Sequence, residues 1–440
     1  MSVVTNQNIG HTMSTVSRSL YEQFPTLIKI SDTDADTGLV NFCYVADPPD
    51  TPELRDNMSI VKDCRGVVFD GDKVVMKAFP YTDQVGVAYD LDSWASNNGG
   101  FENCKFYESH EGALIRMFNH NDKWFLTTHR RLNAFKSKWG SSESYGSLFK
   151  KALKAQIDSN TALHDAMPDN GENYYDNFQS MLDPTKQYTF IVKNSCENRL
   201  VCNGTVEPMM FHVGTFSHGV LDLDDDINVS KPQEFRFGNP NELRALVEST
   251  DPSKTPGIII FSSSQTQLKV SSDMYLNLVS VRGNQPSVKF RYLQIRMNRT
   301  DNDTLRTLYP ELIGDFDQYE QILMFACDQI HTSYMNRFIH KQHTRVSQAE
   351  YAIVRIAHEW FKQGREEGSN RRVTKHVITD IMNEQPATTL NAIIKKIKHD
   401  EFVKEKEKEI VPEPIDTIMD EMGEGMASMS MSVDASMDTN

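Results

Sequence analysis

One stretch of the chain, Tyr107 to Phe118, has the sequence Y-E-S-H-E-G-A-L-I-R-M-F. Its apolar ends flank Glu111-Gly112, and a glycine at such a point is typical of a turn between strands. The runs Lys105 to Tyr107, Ala113 to Phe118 and Trp124 to Thr128 alternate around turn residues, which predicts an antiparallel meander. The stretch therefore places a strand, a turn and a second strand inside a β-rich domain.

The sequence on both sides of this stretch supports a mixed fold. Two β-branched runs flank Asp70-Gly71-Asp72, which predicts a hairpin because Asp-Gly tolerates the positive φ of a tight turn. Residues 145 to 182 space apolar side chains at three and four, as an amphipathic helix does. Further strands are predicted at Tyr188 to Val192, Leu200 to Cys202, Met209 to Val213, Gly257 to Phe261 and Leu268 to Val270.

After about Arg291 the pattern becomes helical, with apolar periodicity in Tyr319 to Phe338, Gln348 to Lys362 and Val373 to Lys398. The fold class is therefore predicted as α+β, with an antiparallel-sheet domain over residues 1–290 and an all-helical domain over 291–400. Residues 401–440 are acidic and carry methionines among Ser, Asp and Gly, a composition typical of disorder. Such a tail could also dock on a protein partner.

Composition limits the classes of partner. The formal net charge of the 440 residues is −15, and residues 401–440 contribute −8 of it, so the rest of the chain is only mildly acidic. A local basic groove for nucleic acid is compatible with that balance. Because the sequence has no apolar run of about 18 residues and no signal-peptide pattern at its start, we expect a soluble, intracellular protein without a membrane partner.

The six cysteines are scattered, with no C-x-x-C pair and no Cys/His spacing of a zinc site. We therefore expect reduced, structural thiols and no metal site built from them.

Several separated motifs follow one another in a definite order: D-C-R-G-V-V-F-D, Y-E-S-H-E-G-A-L, E-N-R-L-V, P-G-I-I-I-F and L-K-V-S-S-D-M-Y. In this order and at these spacings they resemble the covalent nucleotidyltransferases, specifically the tRNA-repairing RNA ligases of large tailed phages and their relatives in fungal tRNA ligase. Each motif alone is weak, and together they cover roughly residues 25 to 285. The resemblance implies a ligase-type nucleotidyltransferase domain followed by a helical domain.

In such ligases a lysine in a K-x-(D/E)-G turn attacks the α-phosphate of ATP, and the resulting lysyl-adenylate is used to join an RNA 5′-phosphate to a 3′-hydroxyl. The resemblance therefore implies ATP and Mg²⁺ as cofactors if the protein is active. Aligned on Glu111-Gly112, the position of the lysine is Ser109. A serine hydroxyl cannot replace an activated amine without a nearby general base.

Other positions depart from the family as well. Its members carry an acidic residue where this chain has Ile191 or Val192, Glu-Gly where it has Pro256-Gly257, and a second lysine at Ser271. The family's carboxylates help to hold the catalytic metal, so these replacements remove charge that Mg²⁺ needs. The departures concentrate on the catalytic chemistry, which indicates a degenerate or repurposed ligase.

Two other side chains could in principle replace the lysine. Lys105 precedes Ser109 by four residues on the same predicted strand, on the order of 13 Å away. His110 can form a phosphoramidate, but strand alternation points it to the opposite face. Neither replacement is attractive.

The matching residues give candidate binding sites. By resemblance, Arg65, Gly66, Gly112, Arg199 and Lys269 contact the nucleotide, and Glu111 is a catalytic position beside Ser109. Each also has a structural interpretation, as a surface arginine, a tight turn or a strand residue.

Basic residues alternate with aromatic ones in Thr128 to Trp139, a pattern that suits tracking of phosphates and stacking of bases. The candidate RNA-binding residues in this run are Arg130, Arg131, Lys136 and Lys138; a solvated basic face is the alternative.

Three functional hypotheses stay open. The first is an RNA-ligase-like protein that has lost self-adenylylation and keeps RNA or nucleotide binding, with tRNA-like or broken RNA ends as partners. The second is an active ATP-dependent RNA ligase in RNA repair with an unrecognised nucleophile. The third is a structural or partner-binding protein on the ligase scaffold. If the protein is viral, we expect it in the cytoplasm of the host cell.

Overall fold

A computed structural model of the chain describes residues 17–46, 48–77, 79, 81–167 and 172–410, with the backbone alone for 401–410. The chain divides into two compact units, Met1–Gln318 and Tyr319–Asn440. The described part of the first unit holds three antiparallel or mixed sheets with helices, and that of the second is helical. The predicted α+β class with a helical C-terminal region is confirmed.

The predicted domain boundary at residues 290 and 291 stays a prediction. The division between the two compact units lies later in the chain, between Gln318 and Tyr319. The predicted disordered tail lies partly in the last helix, which extends to Ile410, and otherwise outside the described residues.

The first sheet has the strand order β1-β2-β3-β4, with all neighbours antiparallel. The predicted hairpin at Asp70-Gly71-Asp72 is confirmed: Asp70 pairs with Lys73, and Gly71 has φ +55°. Its strands are β1 (Ile28–Thr33), β2 (Val40–Tyr44), β3 (Arg65–Asp70) and β4 (Lys73–Met76).

Strands form two further sheets of five members each. The second sheet has the order β11-β10-β9-β7-β8, and the third has the order β12-β6-β13-β14-β5. The strands, in chain order, are β5 (Asp83–Gly86), β6 (Lys105–Glu108), β7 (Gly112–His120), β8 (Lys123–Thr128), β9 (Lys186–Lys193), β10 (Met210–Ser217), β11 (Val220–Asp222), β12 (Glu234–Phe235), β13 (Ile258–Phe261) and β14 (Gln267–Ser271).

The predicted meander is only half right. Strands β7 and β8 pair, but β6 lies in the third sheet between β12 and β13. The segment from Ser109 to Glu111 therefore crosses from one sheet to another instead of closing a hairpin. The predicted strand at Leu200 to Cys202 is wrong, since these residues form bends whose N–H groups bond to the Glu111 side chain.

Two apolar layers hold the second sheet. One face, with Ile115, Met117 and Phe190, packs against the predicted helical region, which forms three helices. Between the second and third sheets lies an aromatic cluster of Phe79, Tyr107, Phe216 and Phe261, with Ile259 packed against it. Burial of large aromatic rings makes this layer a stable part of the core.

Helices of the first unit surround the sheets or follow them. Two short ones, α2 and α3, lie between strands β2 and β3. Their bounds are α1 (Arg18–Glu22), α2 (Pro52–Asp56), α3 (Met58–Asp63), α4 (Leu91–Asn97), α5 (Tyr145–Ser159), α6 (Thr161–Ala166), α7 (Tyr174–Met181), α8 (Pro240–Ser249), α9 (Asp273–Arg282) and α10 (Val288–Ile295). They are followed by α11 (Arg299–Leu308) and α12 (Ile313–Tyr334), the second of which crosses the division between the units.

The second unit continues α12 into a π-helical turn at Met335–Ile339 and adds three helices, in agreement with the predicted periodic segments. Helix α13 begins with a capping box in which Ser347 and Glu350 bond to each other's backbone. Lys396 bonds to the buried Glu350 carboxylate at 2.7 Å. The helices are α13 (Gln348–Glu366), α14 (Lys375–Asn383) and α15 (Ala387–Ile410).

Candidate functional site

Ser109 lies in the crossing between β6 and β7. It is 1% exposed, its N–H donates to the Gly257 carbonyl at 2.9 Å, and its carbonyl accepts from the Thr255 hydroxyl at 2.8 Å. Because backbone and side chain are both enclosed, the hydroxyl is not presented to solvent. The expected position of the nucleophile is therefore a packed connection between two sheets.

Glu111 has a structural role in this connection. Its carboxylate accepts backbone N–H bonds from Leu200, Val201 and Cys202 at 2.9–3.0 Å, and the Tyr275 hydroxyl donates to it at 3.0 Å. The residue is 7% exposed. Four donors occupy the carboxylate, so it holds the 200–202 segment and α9 in place.

Lys269 lies beside this carboxylate. Its Nζ is 5.4 Å from the centroid of the Tyr275 ring. Burial lowers the pKa of Lys269 to about 8, against the opposing effect of Glu111 and Cys202. A lysine that loses its proton near neutral pH is a better nucleophile than an exposed one. Ser109, Glu111 and Lys269 therefore lie in neighbouring elements.

A second feature, which we call the inter-sheet pocket, lies between the second and third sheets. It has a volume of about 50 Å³, well below the roughly 300–1,000 Å³ of pockets that take drug-sized ligands. Its lining is largely apolar and includes one carboxylate, that of Glu108: the residues are Tyr107, Glu108, His110, Ile191, His212, Val213, Leu223, Lys231, Pro232, Ile259 and Phe261.

Ile191 in this lining is one of the two positions, with Val192, that correspond to the metal-holding acid of the resembled family. In the described part of the chain, no group of three or more His, Cys, Asp or Glu side chains could hold a metal ion. Mg²⁺ binds through carboxylate and phosphate oxygens. The residues at the inter-sheet pocket therefore do not fit a magnesium ion.

His110 points into the inter-sheet pocket and stacks on Phe211, with ring centroids 4.3 Å apart. Its Nε2 has no hydrogen-bond partner, and Glu108 lies 3.9 Å away. Burial, with Lys193 nearby, lowers the pKa of His110 to about 4, so the imidazole is neutral at pH 7. Lys105, the other replacement considered, is paired with Asp224.

The remaining nucleotide candidates do not meet at one point. Arg199 donates to the Leu308 carbonyl and to Glu311, and its guanidinium lies 4.2 Å from the Tyr309 ring centroid. A Cβ on Gly112 would meet the Val192 carbonyl oxygen at 2.2 Å, so this glycine permits close strand pairing. These contacts give Arg199 and Gly112 structural roles within the first unit.

Arg65 and Gly66 lie at a separate small pocket. Gly66 has φ +82°, and a Cβ there would meet the His129 carbonyl oxygen at 2.4 Å and an Arg116 guanidinium nitrogen at 2.9 Å. Arg65 lines this pocket together with Arg116 and His129. The glycine is needed because the His129 backbone and the buried Arg116 guanidinium both approach it and because its φ is positive.

The candidate RNA-binding run lies beside a surface groove, which we call the basic groove. Its volume is about 360 Å³. The Lys150 Nζ lies 5.5 Å from the Phe135 ring centroid and 4.4 Å from that of Tyr175. The lining is Asp32, Thr33, Asp34, Lys123, Trp124, Phe125, Leu126, Arg131, Leu132, Asn133, Phe135, Lys136, Tyr175 and Gln179.

Two of the four cations of the run line the groove, and the other two do not. Arg131 and Lys136 line the groove, with Arg131 also 3.5 Å from Asp32. Arg130 stacks over Tyr44 at 5.2 Å, and Lys138 is exposed.

Sequence reasoning missed Arg116, Thr189 and Tyr275. Arg116 and Thr189 are directly opposite on β7 and β9. A charged residue inside an apolar strand pattern, as in A-L-I-R-M-F, was the one available signal for Arg116. The sequence contained no signal for Tyr275, because this residue and its partner Glu111 are 164 positions apart in the chain.

Comparison with known proteins gives weak relatives. No protein-family model matches the chain. The chain is 27% identical over 386 residues to the immediate-early protein ICP-46 homolog of Invertebrate iridescent virus 6, covering 80% of this chain and 79% of that protein. It is 25% identical over 412 residues to the homolog of Invertebrate iridescent virus 3, with 88% of each covered.

Among solved structures, an archaeal ATP-dependent RNA ligase overlaps with a TM-score of 0.32 at 9% identity, covering 66% of this chain and 64% of that one. An RNA ligase of Naegleria gruberi overlaps with a TM-score of 0.30 at 10% identity, covering 51% and 69%. Overlaps this low carry no assignment of activity or substrate. In the described residues, no helix is long and apolar enough to cross a membrane.

Proposed function

We propose that this protein is a ligase-like scaffold protein that does not form a lysyl-adenylate and that binds RNA. The order of the sequence motifs supports the ligase scaffold. The main support for a loss of lysyl-adenylate formation is the enclosure of Ser109. This residue is 1% exposed, and its backbone is hydrogen-bonded to Gly257 and Thr255. No amine is available at the turn where the family's nucleophile belongs.

The surroundings of Ser109 support the same proposal. The adjacent carboxylate, Glu111, is occupied by three backbone N–H groups and a hydroxyl. Ile191 contributes an apolar side chain to the inter-sheet pocket. Nucleotidyl transfer requires groups that stabilise charge on the phosphates, and these positions do not supply them.

Incubation of the full chain with α-³²P-labelled ATP and Mg²⁺ or Mn²⁺ is expected to give no covalent label on the protein. The measurement is autoradiography after denaturing electrophoresis, with an active ATP-dependent RNA ligase as the positive control. A labelled band at stoichiometric intensity would contradict the proposal.

The second candidate, an active RNA ligase, is favoured by one observation: His110 is neutral, and its Nε2 is unpartnered at the inter-sheet pocket. Lys269, with its lowered pKa, is the other available nucleophile. If label appears, its loss in one variant identifies the residue. Adducts on histidine and on lysine are both acid-labile phosphoramidates, so a label lost only in His110→Gln lies on His110, and one lost only in Lys269→Met lies on Lys269.

RNA binding is supported by the basic groove. Phe135 is 38% exposed, and Lys136 beside it is also exposed. Aromatic rings with flanking cations bind single strands by stacking bases and neutralising phosphates. Because this surface does not depend on the nucleotide chemistry, it can persist after that chemistry is lost.

Phe135→Ala is expected to weaken binding of a single-stranded RNA oligonucleotide by about 1–3 kcal/mol, since one stacked base is lost. Lys136→Ala is expected to reduce the slope of log K against log salt by about 0.7. Fluorescence anisotropy at several salt concentrations measures both effects.

Phe325→Ala and Lys254→Ala are the matched controls, because each removes an exposed side chain of the same type elsewhere. Both controls should bind RNA like the parent chain. If the parent chain shows no RNA binding by fluorescence anisotropy at low salt, the third hypothesis, a structural or partner-binding protein, replaces RNA binding. The names of the viral relatives support the expectation of a viral protein and add no activity.

A further inference from the structure

Among the described residues, the small pocket beside β3 is lined by two arginines and by no acidic side chain. It is lined by Arg65, Phe79, Leu114, Arg116, His129 and Thr189. In the described part of the chain, Arg65 and Arg116 take part in no ion pair, unlike the neighbouring Arg131, which pairs with Asp32. Buried charges in proteins are normally paired.

Arg116 is the most unusual member of this lining. It is 1% exposed, and its two terminal nitrogens donate to the Gly66 and Thr128 carbonyls. These neutral acceptors leave the charge itself without a counterion. Burial lowers the pKa of Arg116 to about 9, which still leaves the guanidinium charged at pH 7.

Three buried groups at this pocket have no hydrogen-bond partner: the Nε atoms of Arg65 and Arg116 and the Oγ1 of Thr189. Arg116 and Thr189 are directly opposite on adjacent strands, so their side chains lie on the same face. Both Nε–H groups can only donate, and a hydroxyl can also donate. The missing partner is therefore an acceptor, and the uncompensated charge requires it to be negative.

The size of the pocket limits the partner. Its volume is about 10 Å³, which is close to the space needed for one water-sized ligand. A nucleotide or an inorganic phosphate is larger than this space. We propose that the pocket binds a single small anion of the halide class, held by Arg65, Arg116 and Thr189 as the counterion of the two arginines. This site does not depend on the proposed RNA function.

Thr189→Val provides the sharpest test, because it keeps the shape of the side chain and removes one donor. In sodium gluconate the variant should be at least as stable as the parent chain, since a buried hydroxyl without a partner is removed. In sodium bromide or chloride at equal ionic strength, the thermal midpoint of the parent should rise by about 2–4 °C. The variant should show less than half of that rise.

Thr127→Val is the matched control on the neighbouring strand. Thr127 is equally buried, but its hydroxyl bonds to the Arg116 carbonyl and it does not line the pocket. This control should keep the full halide-dependent rise. An equal rise in the parent and in Thr189→Val would overturn the proposal, and so would stabilisation by inorganic phosphate without stabilisation by bromide.

A crystal of the parent chain grown in sodium bromide gives an independent measurement. An anomalous peak within hydrogen-bonding distance of Arg116 and Thr189 is the expected result. A water molecule at that point with no anomalous signal would rule out the halide and leave ordinary hydration.

Discussion

Glu111→Ala is expected to lower the free energy of unfolding by about 3–5 kcal/mol. The carboxylate satisfies the N–H groups of Leu200, Val201 and Cys202 and accepts from Tyr275. Its removal leaves these buried donors unpaired and also leaves Lys269 without its nearest opposite charge. Chemical denaturation followed by circular dichroism measures the loss.

Two variants calibrate this effect. Glu111→Gln keeps one acceptor oxygen and should cost less than the alanine change, whereas Tyr275→Phe removes a single hydroxyl and should cost about 1 kcal/mol. If Glu111 serves as an exposed contact for a bound nucleotide, all three variants should unfold like the parent chain. A loss below about 1 kcal/mol in Glu111→Ala would therefore contradict the structural role.

Acidification is expected to destabilise the first unit by several kcal/mol between pH 6.5 and pH 4.5. Burial lowers the pKa of His110 and His212 to about 4 and that of His129 to about 3, where neighbouring arginines contribute. The folded-state pKa values lie below the unfolded value near 6.5, so unfolding takes up protons in this window. Stability is complete above pH 6.5 and falls as pH decreases, by about 2–3 kcal/mol for each histidine at pH 4.5.

The dependence of unfolding free energy on pH measures this effect, and His212→Gln isolates one contribution. His212 is 1% exposed, so its removal should reduce the slope by nearly one proton. His376→Gln is the control, because the His376 side chain is 83% exposed on α14. An unchanged slope in His212→Gln would show that carboxylates alone cause the acid sensitivity.

Local signals in the sequence were enough for most single elements. The Asp70-Gly71-Asp72 hairpin and the periodic segments of the second unit were predicted because turn chemistry and side-chain periodicity act over a few residues. The same signals failed at the 200–202 segment. There, contacts with a distant residue determine the backbone, through the bonds from residues 200–202 to Glu111.

The sequence names Ser109, Glu111 and Lys269 through two separate motifs. Only the structure places them in adjoining elements. Arg65 lines the small pocket beside β3, and Arg199 bonds to Glu311. The proposed nucleotide and RNA contacts stay predictions.

The sequence by itself determined the α+β class, the helical C-terminal region and the absence of a lysine beside Glu111-Gly112. These depend on composition, periodicity and residue identity, which are local properties. Only the tertiary structure decided that Tyr107 to Phe118 is divided between two sheets, with β6 in one and β7 in the other. The reason is that a strand chooses its neighbours by long-range backbone pairing, and that choice enclosed Ser109 and placed Arg116 opposite Thr189.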